Sequence, residues 1–206
     1  PESYLHPHLS RKLRTVLDRL AQSGWLVVLT THSSDFISFN SSQTIAKLSR
    51  SGDDASVATL AVKGLDSAAK FQERLDERGG HEMIFAQRVV LCEGKDDAFA
   101  LRSYLTQRAK IDLDGLSVSI IQAGDINQLP AFVSIAKQLN IPWCAVSDED
   151  KLPDGSVKPN TKTAREKIDK LIRSKDTQVL WEIDLEACLG LTTGKARPSW
   201  QAEYVE

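Results

Sequence analysis

Short apolar segments alternate with amphipathic segments between residues 87 and 181, and this alternation is the feature that most limits how the chain can fold. Short apolar runs are typical of strands buried on both faces of a sheet. Strands joined through helices pair in parallel with right-handed crossovers, which predicts an α/β fold. The predicted strands are 88–92, 117–122, 142–146 and 178–181, and the predicted helices are 95–108, 127–140, 163–174 and 185–189.

The first 65 residues follow a different pattern. Apolar residues at helical spacing predict a helix over 9–21, and the continuous apolar run at 25–31 predicts a buried strand of a parallel sheet. Two further strands, 44–48 and 56–62, are predicted to form a hairpin, because a Gly-Asp-Asp turn sequence lies between them. The polar segment 66–86 contains a Gly-Gly pair and predicts a helical connector between two parts of the chain.

Charge and cysteine content limit the classes of protein to which this chain can belong. The formal net charge is −2, so attraction of nucleic acid requires a local basic patch. The three cysteines include no Cys-x-x-Cys pair, which argues against a disulfide framework or a zinc site and favours a reducing, cytoplasmic location. No apolar run reaches the length of a membrane span, so we expect no membrane partner.

Acidic residues follow two of the predicted strands. Glu93 comes directly after one strand, and Asp148 and Asp150 follow another. Because the carboxyl ends of parallel strands meet at one edge of a sheet, these side chains converge if the two strands are neighbours. Gly94 permits a sharp turn into the next helix, which places Asp97 in the first turn of that helix. The alternative is that these acids only cap helices and face solvent.

Converging carboxylates repel one another unless a cation lies between them. A small cluster of oxygen ligands suits Mg²⁺ or Mn²⁺. One such ion polarises a phosphoryl oxygen and activates water, and two ions about 4 Å apart clamp both the attacking and the leaving oxygen. The pattern therefore predicts a metal-dependent phosphoryl-transfer site, with two ions expected.

Two motifs carry a resemblance to a known domain. The segment 90–97, Val-Leu-Cys-Glu-Gly-Lys-Asp-Asp, and the segment 145–150, Ala-Val-Ser-Asp-Glu-Asp, resemble the TOPRIM domain of topoisomerases, primases and a family of nucleases. This resemblance covers about residues 87–190. The segment 1–7 resembles the stretch after the Walker B acids of ABC-type ATPases, and 29–33 resembles their switch-histidine loop. An ABC-type ATPase that leads into a TOPRIM domain is the arrangement of the overcoming-lysogenization-defect (OLD) family of nucleases.

The resemblance implies three parts and an activity. Residues 1–65 would be the C-terminal part of an ABC-type ATPase domain, 66–86 the connector, and 87–206 a Rossmann-like TOPRIM nuclease domain with a mainly parallel four-stranded sheet. The implied activity is Mg²⁺- or Mn²⁺-dependent cleavage of DNA, coupled to an ATPase that usually forms homodimers. A Walker A loop and the Walker B acids are absent from the sequence, so we expect ATP to bind only to the full-length protein. The alternatives are another TOPRIM activity, primase- or topoisomerase-like, and a non-catalytic scaffold that binds DNA or a partner.

Residue roles follow from the same resemblance. Glu93 would be a metal ligand or the general base, and Asp97 would be its partner in the first motif. Asp148 and Asp150 would hold the ions, and Ser147 would add a ligand.

Four residues outside the two motifs are further candidates. His32 would be the ATPase histidine that senses the γ-phosphate. Glu182 or Glu186 would complete a second metal site, and the alternative is the start of a helix that Asp184 caps. Lys195 would stabilise transition-state charge, with a solvated loop lysine as the alternative.

A basic stretch follows the second acidic motif. Residues 158–175 carry seven basic and two acidic side chains. We predict that Lys158, Lys162 and Arg165 contact DNA phosphates. A plain solvated helix is the alternative.

Overall fold

A computed structural model of the chain describes residues 4–39, 43–51, 53–61, 72, 80–152 and 154–181. The chain divides into two compact units, Pro1–Phe85 and Ala86–Glu206. Within the described ranges, no helix is long and apolar enough to span a membrane. Most of the predicted connector and the predicted helix at 185–189 lie outside the described residues.

The first unit consists of helices and one hairpin. Helix α1, Pro7–Gln22, begins at a proline, whose fixed φ angle suits the first turn of a helix. A short 3-10 helix, Ser34–Phe36, follows. Strands β1, Thr44–Ser51, and β2, Asp54–Ala61, form the predicted antiparallel hairpin. β1 begins at the predicted residue, and both strands extend further toward the turn than the predicted 44–48 and 56–62. Helix α2, Glu82–Phe85, ends the unit.

The prediction of a buried strand at 25–31 is wrong. This segment forms no strand, and the side chains of Trp25, Leu26 and Val28 are 70%, 89% and 82% exposed. A continuous apolar run becomes a buried strand only if neighbouring strands pair with it. In the described part of this unit the sheet contains only β1 and β2, which pair with each other.

The second unit contains a four-stranded sheet with helices between the strands. The elements are β3 (Arg88–Cys92), α3 (Lys95–Ser103), β4 (Val118–Gln122), α4 (Leu129–Gln138), β5 (Trp143–Asp148), α5 (Pro159–Asp169) and β6 (Thr177–Trp181). The strand order is β4-β3-β5-β6, and each neighbouring pair is parallel, which confirms the predicted α/β fold. The two central strands, β3 and β5, therefore carry the two acidic motifs.

The three described helices of this unit that were predicted all have bounds that differ from the predicted ones. Helix α4, Leu129–Gln138, is two residues shorter at each end than the predicted 127–140. Helix α3 ends at Ser103 and continues as a π-helical turn, Tyr104–Arg108, where an α-helix was predicted throughout. Helix α5 begins at Pro159 and ends at Asp169, whereas helical spacing predicted 163–174. The first turn of α5 is polar, so it carries no apolar periodicity that could reveal it.

The core of this unit packs around the two central strands. Leu91 of β3 and Ala145 of β5 are fully buried, and Leu129, Phe132 and Val133 of α4 are almost completely buried as well. Burial on both faces explains why these strands are continuous apolar runs in the sequence.

Asp176 anchors the end of the sheet opposite the acidic motifs. Its buried carboxylate accepts hydrogen bonds from the backbone N–H of Trp143 at 3.3 Å and from Nε of Arg173 at 2.7 Å. Arg173 also donates to the carbonyl oxygens of Lys137 and Ile141. The starts of β5 and β6 are thereby tied to the end of α4, which holds the strands at a fixed register.

Candidate functional site

The two acidic motifs meet at the carboxyl edge of the sheet. Strands β3 and β5 are neighbours, as the convergence of the motifs requires, and the register pairs Cys92 with Val146. Glu93 and Ser147 are therefore the next residues along the two strands. An Oε1 atom of Glu93 accepts a hydrogen bond of 3.2 Å from the backbone N–H of Asp148. This bond joins the first motif directly to the second.

Glu93 lies in an environment that disfavours its charge. Burial, which is the largest cause, and the negative charges of Asp148, Asp150 and Asp97 together raise the pKa of Glu93 from 4.5 to about 7. The backbone N–H of Asp148 opposes the increase only in part. The carboxyl group of Glu93 therefore lies in the electrostatic field of three other acids.

Asp97 lies in the first turn of α3, as predicted. Its Oδ2 accepts a hydrogen bond of 2.8 Å from the backbone N–H of Gly94, so the carboxylate caps the helix. Gly94 itself has φ −115°, an extended conformation open to any residue, so the turn into α3 does not depend on the conformational freedom of glycine. The glycine matters because a Cβ atom there would lie 3.3 Å from Oδ2 of Asp97.

Asp150 is held by the start of α5. It has a left-handed φ of 51°, which is unusual for a residue other than glycine. Its carboxylate accepts a 2.8 Å hydrogen bond from Oγ1 of Thr161 and forms an ion pair with Lys158. Burial alone would raise the pKa of Asp150, but these hydrogen bonds and the charges of Lys158 and Arg165 hold that pKa below its ordinary value. Sequence reasoning missed Thr161, although its helical spacing from Ala164 and Ile168 marks it as part of a packed face.

The basic stretch does not form one solvated face. Arg165 is part-buried, and its Nη2 donates a 2.6 Å hydrogen bond to the carbonyl oxygen of Asp148. Arg173 belongs to the cluster at the opposite end of the sheet. Lys162 is exposed on α5. The three residues predicted to contact DNA therefore lie in different environments: Lys158 pairs with Asp150, Lys162 is exposed, and Arg165 is part-buried.

The donor atoms at this edge suit a hard divalent cation. They are carboxylate oxygens with an excess of negative charge, together with the buried hydroxyl of Ser147, which has no hydrogen-bond partner among the described residues. In the described part of the chain, however, no three His, Cys, Asp or Glu side chains form a group arranged to hold a metal ion. Asp97 and Asp150 point instead toward protein donors. The residues therefore fit Mg²⁺ or Mn²⁺ by chemistry. For all of them to bind, Asp97 would leave its helix cap and Asp150 would give up its ion pair with Lys158.

Four residues that the sequence suggested for metal, nucleotide or transition-state roles are not part of this site as described. One lies in the first unit and three lie outside the described residues. Glu182, Glu186 and Lys195 belong to 182–206, which the structure does not describe. His32 is exposed in the loop before the 3-10 helix of the first unit. That loop is held by α1, because Arg14 donates a 2.9 Å hydrogen bond to the carbonyl oxygen of Asp35.

Comparison with known proteins identifies the part of the chain that carries the two acidic motifs. Residues 84–150 match the family model described as overcoming lysogenization defect protein-like, TOPRIM domain. This region is an OLD-like TOPRIM domain. The match contains both acidic motifs and the helices and strands between them, in agreement with the parallel sheet.

One curated relative and two solved structures that are similar to this chain are all OLD proteins. The OLD nuclease of Thermus scotoductus (strain ATCC 700910 / SA-01) is 26% identical over 198 residues, which are 92% of this chain and 36% of that protein. The chain thus spans little more than a third of the length of this relative. The C-terminal region of the Burkholderia pseudomallei OLD protein has a TM-score of 0.44 at 16% identity, covering 59% of this chain and 73% of its own. The corresponding region from Xanthomonas campestris pv. campestris has a TM-score of 0.36 at 24% identity, covering 51% and 54%.

Proposed function

We propose that the OLD-like TOPRIM domain is the catalytic part of a metal-dependent DNA endonuclease that works together with an ATPase. The observation that carries the proposal is the environment of Glu93, a part-buried carboxyl group whose pKa is raised toward 7 beside three other acids. A protein gains nothing in stability from such an arrangement, whereas a cation-binding site requires it. The name of the Thermus scotoductus relative, a nuclease, supports the same reaction class.

Five residues would hold the ions. They are Glu93, Asp97, Ser147, Asp148 and Asp150. When bound, Mg²⁺ or Mn²⁺ supplies positive charge that polarises a phosphodiester and lowers the pKa of water. Asp97 would leave the N–H of Gly94, and Asp150 would exchange the ammonium of Lys158 for a metal ion. The pKa of Glu93 is about 7 in the metal-free protein. If Glu93 acts as the general base and does not itself bind an ion, it would accept a proton near neutral pH.

Lys158 would then become available to substrate. Its ammonium is exposed and is held by Asp150 in the metal-free protein, which raises the pKa of Lys158. Once released, it can neutralise a DNA phosphate beside the scissile bond. ATP binding through the loop of His32, homodimer formation and a cytoplasmic location belong to the full-length protein in this proposal. Glu182, Glu186 and Lys195 remain candidates for a second metal site and for transition-state stabilisation.

Nicking of supercoiled plasmid by the full chain tests the proposal. We expect relaxation and linearisation with Mn²⁺ or Mg²⁺ and none with EDTA. Glu93→Gln removes the charge with almost no change of shape, and we expect it to lower the nicking rate at least about a hundredfold. Glu166→Gln is the matched control, because Glu166 is exposed on α5. Nicking by Glu93→Gln at the wild-type rate, or religated topoisomers in place of nicked circles, would contradict the endonuclease assignment.

A further inference from the structure

The packed face of α5 changes from apolar to polar where the helix reaches the second acidic motif. Thr161, Ala164, Arg165 and Ile168 recur at helical spacing. Ala164 and Ile168 are buried in the core, and Thr161 is only 1% exposed. Thr161 and Arg165 are thus polar residues on a packed helix face, a position that disfavours them unless their hydrogen bonds are needed.

Each of the two polar side chains is bonded to a different point of the motif. Oγ1 of Thr161 donates to a carboxylate oxygen of Asp150 at 2.8 Å, and Nη2 of Arg165 donates to the carbonyl oxygen of Asp148 at 2.6 Å. The backbone N–H of Lys158 adds a 3.2 Å bond to the carbonyl oxygen of Asp150. Both aspartates are therefore tied to one rigid helix.

Support from α5 helps to hold the geometry of Asp150. Its left-handed backbone, with φ 51°, costs free energy for a residue with a Cβ atom, and contacts from a packed helix offset that cost. Lys158 is a poorer support than Thr161, because its ammonium is largely exposed and exposed ion pairs contribute little. The buried hydroxyl of Thr161 has a fixed position, and it donates to Oδ2 while Lys158 donates to Oδ1.

We propose that Thr161 and Arg165 are positioning residues that orient Asp150 and Asp148 for cation binding, an inference that rests on the proposed function. Neither side chain needs to touch the ion or the DNA. Residues that orient metal ligands in this way typically change metal affinity by about 10- to 100-fold when they are replaced. The affinity for the metal, and not only the rate of cleavage, is therefore the quantity that should change.

Calorimetric titration of the full chain with Mn²⁺ alone tests the inference. Thr161→Val keeps the shape of the side chain and removes the hydroxyl, and we expect about tenfold weaker Mn²⁺ binding. Thr161→Ser restores the donor and should restore the affinity. Thr163→Val is the matched control, because Thr163 is exposed on the same helix. Arg165→Gln, which shortens the second donor, should also weaken binding and provides an independent variant.

Mn²⁺ affinity, urea midpoints and plasmid nicking together distinguish a positioning role from a folding defect and from a failure of the proposed function. Weak binding by Thr161→Val and Arg165→Gln with unchanged urea midpoints, together with restored binding by Thr161→Ser, supports the inference. Binding by Thr161→Val as tight as by Thr163→Val overturns it, and so does an absence of Mn²⁺ binding by the wild-type chain. A wild-type chain that binds Mn²⁺ but does not nick plasmid overturns the endonuclease function alone, because the positioning role is judged by the titration.

Discussion

Replacing Glu93 with glutamine should make the metal-free protein more stable at alkaline pH. The glutamine side chain keeps an oxygen that accepts the N–H of Asp148, so the hydrogen bond at 3.2 Å can persist. What the substitution removes is a carboxyl group whose pKa is raised from 4.5 to about 7 by burial and by neighbouring acids. The variant should therefore gain stability while it loses the proposed activity.

The sign and the size of the effect follow from proton linkage. Because the folded-state pKa lies above the unfolded-state value, the folded protein binds more protons between pH 4.5 and 7, and its stability falls as the pH rises through that range. A pKa of about 7 against 4.5 corresponds to about 3 kcal/mol without solvent screening. Glu93 is only part-buried, so water and salt reduce the expected gain to about 1–2 kcal/mol.

Urea unfolding in EDTA at pH 4.5 and pH 8 measures the effect. Trp143 is 2% exposed and reports on the sheet, whereas Trp25 is already 70% exposed in the folded chain. We expect Glu93→Gln to match the wild type at pH 4.5 and to exceed it at pH 8. Glu166→Gln, the same chemical change on the exposed side of α5, should show no such difference. A gain that is absent at pH 8, or equal at both pH values, would refute the reasoning.

Three further predictions concern other parts of the second unit. Asp176→Ala leaves the part-buried charge of Arg173 uncompensated and frees the N–H of Trp143, so urea unfolding should show a loss of about 3 kcal/mol. Gly94→Ala places a Cβ atom 3.3 Å from Oδ2 of Asp97 and disfavours the capping position of that carboxylate, so urea unfolding of the metal-free protein should show a loss of about 1 kcal/mol. Mn²⁺ at 100 times its dissociation constant should stabilise the wild-type chain by about 2.7 kcal/mol, and an unchanged thermal midpoint would argue against a metal site.

The parallel sheet of the second unit was predictable because its strands are buried on both faces. Such strands are continuous apolar runs, and helices with clear periodicity separate them, so the order of elements follows from the sequence. The segment 25–31 shows the limit of that argument. It has the same apolar run, but the pattern of one segment carries no information about whether other strands are present to pair with it. Its exposed side chains show that burial is a property of the neighbours as well as of the run.

The acids of the site were predictable from their place after two strands, but their hydrogen-bond partners were not. Glu93 and the N–H of Asp148 are 55 positions apart in the sequence. They meet because of the order and register of β3 and β5. The roles of Thr161 and Arg165 depend on how the start of α5 returns to the end of β5. That return passes through a polar segment without periodicity, so the sequence does not indicate where the packed face of α5 meets the end of β5.

Three acids of the site, Asp97, Asp150 and Glu93, receive different hydrogen-bond donors. These differences indicate which of the three would be stabilised most by a bound cation. Asp97 receives a backbone N–H, and Asp150 receives a hydroxyl and an ammonium, so the protein itself compensates their charges. Glu93 receives one longer N–H bond, and its pKa shows that this is insufficient. A cation entering this edge therefore gains most from Glu93. The charge of Asp150 is balanced by the exposed ammonium of Lys158 and by the buried hydroxyl of Thr161. An ion could therefore replace Lys158 while Thr161 keeps the carboxylate in place.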